Sequence, residues 1–153
     1  MSKREQRIGA YGQERAAIAL RNAGVQLVER IATPVKLIPA RQKGTFKVIY
    51  GETVSGDHRG ILPNGISVLA ETKTVLDGNL TWSHLRDHQP GRLTAHADCN
   101  GVSLLVWVHT TGIYIMRWPI EGFGPRKSIT LEKAIDLHIN STLDLQDEME
   151  NER

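Results

Sequence analysis

Asp57, Glu71 and Lys73 are the residues of this chain whose types and spacing could do chemistry together. Thirteen residues separate Asp57 from Glu71-Thr72-Lys73, and Pro63-Asn64-Gly65 lies at the midpoint. Asn and Gly accept the positive φ that tight hairpin turns demand. A hairpin folded about residue 64 sets Asp57 opposite Glu71, within about one residue of register, and directly opposed residues share a sheet face. Glu71 and Lys73 also share a face, because side chains alternate along a strand. The three groups can therefore converge. Two hard oxygen ligands suit Mg²⁺ or Mn²⁺, and a lysine beside them can orient a water or neutralise phosphate charge.

An Asp followed at this distance by Glu-x-Lys also arises by chance, and the plain alternative is a surface hairpin with solvated charges. The approach to Glu71 argues against that alternative. Ile66, Val68, Leu69 and Ala70 make a largely buried strand. A carboxylate ending such a strand needs a partner, because an unpaired buried charge costs several kcal/mol or forces the group to neutralise.

The elements that must position these groups follow from patterning. Residues 5–23 read as a helix rich in Ala and ended by Gly24. Tyr11, Glu14 and Ile18 are spaced to share a helical face, so Glu14 is a candidate third acidic residue at the site, or else a paired helix glutamate. Thr33-Pro34 opens a strand through Val35 and Leu37, and a second strand covers Phe46 to Tyr50. The basic loop between them, residues 39–45 with Arg41 and Lys43, reads either as an exposed hairpin tip or as a projection into nucleic acid. Ser83 to Asp98 should be mainly helical, with Pro90 marking a fresh start or a kink. Val102 to Val108 and Gly112 to Trp118 form two strands, and Thr130 caps a last helix through His138. The order predicts one α/β layer domain over residues 1–143, a mixed central sheet flanked by helices.

The bulk properties narrow the partners. A chain of 153 residues can bury a proper core. No apolar run is long enough to span a membrane, and the polar start lacks the core of a signal peptide. The single cysteine, Cys99, fits a reducing cytoplasm, the host's if the source is viral. Residues 1–60 carry a net charge of +6 and residues 129–153 a net charge of −5. The basic portion suits a polyanion, and the acidic segment 144–153 is expected to be a flexible tail. His84, His88, His96 and Cys99 raise the question of zinc, but no Cys-x-x-Cys pair supports a structural site. Exposed histidines near phosphate, His88 among them, are the more economical reading.

Several segments together resemble the RecU-type Holliday-junction resolvases of the PD-(D/E)xK nuclease superfamily. They are Thr33-Pro34-Val35, Ser55-Gly56-Asp57, Glu71-Thr72-Lys73, Asp87-His88-Gln89, the apolar strand from Val102, and Arg126-Lys127-Ser128-Ile129. They occur in the family's order over roughly residues 8–137. The resemblance implies a restriction-endonuclease-like core and a homodimer that binds four-way DNA and nicks two opposed strands. It implies Asp57 and Glu71 as ligands of Mg²⁺, which Mn²⁺ would replace, with the Thr72 carbonyl as a further ligand. It implies Lys73 as the residue that activates water and Glu14 as the helix acid. Gln89 would support the site or touch DNA. The 39–45 loop would be the family's stalk, with Arg41, Lys43, Ser55, His88, Arg126 and Lys127 as DNA-contacting residues. Two rivals remain: a restriction-like or repair enzyme nicking duplex DNA, and a non-catalytic DNA-binding recombination accessory.

Overall fold

A computed structural model describes residues 2–33, 35–50 and 56–151. Helix α1 (Lys3–Ala23) begins at a capping box, in which the Ser2 hydroxyl accepts from the Glu5 amide and the Glu5 carboxylate accepts from the Ser2 amide. It stops at Gly24, whose φ of 106° is the left-handed cap. Strands β1 (Gln26–Arg30), β2 (Val35–Pro39), β3 (Phe46–Tyr50), β4 (His58–Ile61) and β5 (Ser67–Thr74) follow. Next come β6 (Leu80–Thr81), a single 3₁₀ turn at Trp82–His84, and helix α2 (His88–Asp98). The chain continues through β7 (Val102–His109), β8 (Gly112–Trp118), β9 (Ser128–Ile129), α3 (Leu131–Leu137) and α4 (Thr142–Asn151).

Five strands form the central sheet in the order β1-β4-β5-β7-β8. β5 and β7 run parallel; the other neighbours are antiparallel. β7 is buried along its whole length, as an inner strand covered on both faces must be. One face carries Val68, Ala70, Leu104 and Val106 against Ala16, Ala17 and Leu20 of α1. The other carries Leu69, Leu105 and Trp107 against Leu93 of α2, together with Met116 and Trp118. The expected mixed α/β architecture is the one observed, with α1 and α2 on opposite sides of the sheet.

Two features depart from expectation. β1 is not legible in the sequence, because its pattern has only Val28 buried and a register shift interrupts its pairing with β4. The acidic segment expected to be a flexible tail is helical from Thr142 to Asn151. Leu145 there is 1% exposed and joins the α1-side core, with Met149 one turn further on packed against it. Of the two readings of Pro90, the fresh helical start is the one observed, since α2 begins two residues before it. It sits in the first turn, where its missing N–H is not needed.

Strands β2 and β3 form their own two-stranded sheet, and the basic loop is its tip. Arg41 and Lys43 are exposed there. Val35 to Pro39 pairs with Phe46 to Tyr50 so that Leu37 lies opposite Val48 and Pro39 opposite Phe46. This gives the hairpin one apolar face, with Leu37 60% and Phe46 62% exposed.

Close packing of α1 on β5 depends on Gly12. A Cβ there would fall on Thr74 Oγ1 and lie 3.0 Å from Thr74 Cβ and 3.2 Å from Thr74 Cγ2. Gly12→Ala is therefore expected to lower stability by about 1–3 kcal/mol, the usual cost of overpacking. Thr74→Ala in the same chain should restore part of that loss. Chemical denaturation of the two variants measures this; a Gly12→Ala protein as stable as the parent would contradict the packing described.

Candidate active site

The β4–β5 hairpin has the register that the Asn-Gly turn predicts. His58 pairs with Ala70 and Ile61 with Ser67, around a turn in which Gly65 has a φ of 87°. Asp57 lies one residue before β4 and continues the ladder, its amide donating to the Ala70 carbonyl at 2.8 Å. Its own carbonyl accepts from the Ile31 amide at 2.8 Å. The Asp57 backbone is thus clamped between β5 and the end of β1. Gly56 makes the approach possible. Its φ is 67°, and a Cβ would come within 2.8 Å of Leu69 Cδ1 and 3.0 Å of the Ala70 carbonyl oxygen.

Glu71 and Lys73 lie on the α2 face of β5, two residues apart. Glu71 is 2% exposed. Lys73 Nζ stands 2.9 Å from Glu71 Oε1 and donates to Gln89 Oε1 at 2.7 Å. Gln89 Nε2 in turn donates to Glu71 Oε1. Gln89 Oε1 also accepts from the Arg86 amide at 2.8 Å. Gln89, in the first turn of α2, therefore closes a ring of charge-assisted hydrogen bonds around a buried carboxylate.

Asp57 is held separately. Its Oδ2 accepts from the Thr72 amide at 2.8 Å, and its Oδ1 accepts from Gln13 Nε2 at 2.9 Å. The two carboxylates still sense each other. Burial pushes the Glu71 carboxyl up to about 7, and the negative charge of Asp57 adds to the rise. Lys73 and, more weakly, Arg86 oppose it.

Each residue expected at the site can now be placed. Asp57, Glu71, Lys73 and Gln89 are gathered at one end of β5. Thr72 alternates with its neighbours, so its side chain faces α1, 7% exposed. Glu14 is exposed, on the same outer face as Tyr11 and Ile18, which are 55% and 49% exposed. The expectation that Glu14 faces the site is corrected. The inner face of α1 is the one with Gly12, Ala16 and Leu20, and its contact with the site is Gln13. His88 is half-buried at the start of α2. Arg126 and Lys127 are exposed before β9, and the Lys127 carbonyl accepts from the Trp82 amide at 2.9 Å. Ser55 lies outside the described residues.

Gln13 and Arg86 are the site residues the sequence reading missed. Gln13 flanks the small-residue stripe of α1, four residues before Ala17, which was the available signal. Arg86 lies near the apolar-to-basic turn into α2 and carried none.

The donor set fits a hard divalent cation. Asp57 and Glu71 supply carboxylate oxygens, and Gln13 Oε1 and Thr72 Oγ1 are buried without a hydrogen-bond partner. Oxygen donors of this kind suit Mg²⁺ or Mn²⁺. Among the described residues no three His, Cys, Asp or Glu side chains gather around one point. His84 Nδ1 is occupied by Thr81, and His96 by Ser67 and Ser103.

The fold has solved counterparts. The chain matches the 1.6 Å structure of Hjc, a Holliday junction resolvase from the archaeal hyperthermophile Archaeoglobus fulgidus, with a TM-score of 0.56 and 14% identity. The match covers 86% of this chain and 97% of that one. The chain thus shares the fold of that structure. No protein-family model and no curated protein matches the chain by sequence.

Burial of Glu71 has a pH signature. The folded protein keeps the proton to about pH 7, whereas the unfolded chain releases it near 4.5. Stability from this group is thus present below the unfolded value and lost as pH rises through about 7. In EDTA, Glu71→Gln should lose less melting temperature than the parent between pH 5 and 8, by more than about 3 °C. Parallel melting profiles for the two proteins would contradict the assignment.

Proposed function

We propose that this protein is a Mg²⁺-dependent endodeoxyribonuclease that resolves four-way DNA junctions by paired nicks, with Mn²⁺ able to substitute. The observation that carries the reading is Glu71. It is a carboxylate buried at the end of an inner strand, engaged by Lys73 and Gln89, with Asp57 alongside. A folded chain retains so costly a group where it performs work, and perturbed carboxylates cluster at functional sites. The resolvase fold of the structural neighbour and the order of the sequence motifs supply the substrate class.

The residues divide the labour. Asp57 and Glu71 would hold the cation, with the Thr72 carbonyl as a further ligand. A divalent cation held there would supply Lewis acidity toward the scissile phosphate and toward water near neutral pH. Glu71 must surrender its proton for this, which the ammonium of Lys73 favours. Lys73, 14% exposed at its side chain, would hydrogen-bond the attacking water and offset charge gathering on the phosphate. Gln89 fixes both through its amide. The basic hairpin, with Arg41 and Lys43 at its tip, would enter the junction centre and contact phosphate without reading bases. His88, Arg126 and Lys127 would add backbone contacts. Paired nicks on a two-fold substrate need two equivalent sites, so the working form would be a homodimer.

Two sets of variants test this on a labelled four-way junction. Asp57→Asn and Lys73→Ala should each reduce Mg²⁺-dependent cleavage by about a hundredfold or more, the scale of losing a positioned catalytic group. Both variants should keep junction binding by gel shift. Near-parental cutting by either one would remove that residue from the site. Separately, Arg41→Ala with Lys43→Ala should weaken junction binding far more than duplex binding. Its salt slope should be shallower by roughly 2 on a log–log plot. Equal losses on junction and duplex would leave the hairpin a general basic surface.

A further inference from the structure

Helix α1 brings to the site a side chain that the division of labour above does not use. Gln13 Nε2 donates to Asp57 Oδ1 at 2.9 Å, while its other amide atom, Oε1, is buried with no hydrogen-bond partner. Thr72 Oγ1 is likewise buried without a partner. Both residues line a pocket of about 510 Å³ between α1 and β5, which Lys73 also borders. Buried amide oxygens are seldom left without a donor. Nearby, the Thr72 amide is taken by Asp57, and two of the three Lys73 Nζ donors are taken by Glu71 and Gln89. Among the described residues none donates to Gln13 Oε1, so a donor from outside them would complete it. A divalent cation on Asp57 brings one, because Mg²⁺ keeps several of its waters.

We propose that Gln13 is the α1 member of the cation site, a positioning residue that acts through Asp57 and through water. Its Nε2 fixes the Asp57 carboxylate, and its Oε1 accepts a hydrogen bond from a water carried by the cation. This rests on the nuclease reading and deepens it. The site then has two carboxylates and a neutral amide where a third carboxylate would grip the cation harder. The amide tunes cation affinity downward. It also spares the cation-free protein a second negative charge beside Asp57.

Gln13→Glu separates this role from simple packing. Without cation the substitution removes the donor to Asp57 and sets two carboxylates side by side, so the melting temperature in EDTA should fall. With Mg²⁺ the added charge should be favourable. The Mg²⁺-induced rise in melting temperature should exceed the parent's. The calorimetric Kd for Mg²⁺ should drop about tenfold, the scale of one extra charge a few Å from the cation in a half-exposed site. Gln13→Ala should fold and bind Mg²⁺ more weakly than the parent, which keeps the test alive if the Glu variant does not fold. An equal loss of melting temperature with and without Mg²⁺, together with parental Kd values for both variants, would overturn the role of Gln13 alone. A parent protein that neither binds Mg²⁺ nor cuts a four-way junction would instead overturn the nuclease reading, and this inference with it.

Discussion

Burial of the Glu71 carboxylate is the constraint around which the rest is arranged. β5 lies between β4 and β7 in the sheet, so its side chains are enclosed on both faces for most of its length. A carboxylate in that position must be paired, hydrogen-bonded or protonated. Here all three operate. Lys73 supplies charge from the same face of the strand, and Gln89 supplies a donor from the first turn of α2. The residual cost appears as a carboxyl pushed up to about 7. The start of α2 is fixed by this requirement, because the Gln89 amide also accepts from the backbone of Arg86.

Asp57 obeys a different constraint. Its carboxylate is fixed by the Thr72 amide and by Gln13, and its backbone by Ala70 and Ile31. Two faces of one strand end are thereby joined: Glu71 and Lys73 toward α2, Thr72 and Gln13 toward α1. A cation between the two carboxylates would bridge the layers. Gly12 and Gly56 are the points where backbone must come closest for this, one under α1 and one at the hairpin base. The site is thus rigid on both sides, which is what precise placement of reacting groups requires.

Local pattern made part of this legible. The Asn64-Gly65 turn set the hairpin register, and continuous apolar runs next to turn residues located β5, β7 and β8, because in each case the decisive signals are near in sequence. The parts that escaped depend on distant partners. β1 is held by pairing with β4 some thirty residues away and has one buried side chain, so it leaves no alternation to read. α4 is amphipathic only through Leu145 and Met149, and a run of acidic residues masks them. Tyr11 and Ile18 point to the outer face of α1, because large apolar side chains there are exposed. The true inner face is built of Gly and Ala, which close approach to a sheet demands. That choice of face exchanged Glu14 for Gln13.

The central claim is that Asp57 and Glu71 share one divalent cation at the end of β5. Anomalous diffraction from crystals grown with Mn²⁺ tests it most directly. The account predicts a manganese peak within ligand distance of both carboxylates, about 2.0–2.6 Å, beside Lys73 and Gln89. A peak elsewhere, or carboxylates still closed on Lys73, Gln89 and Gln13 at saturating Mn²⁺ with no peak between them, would contradict it.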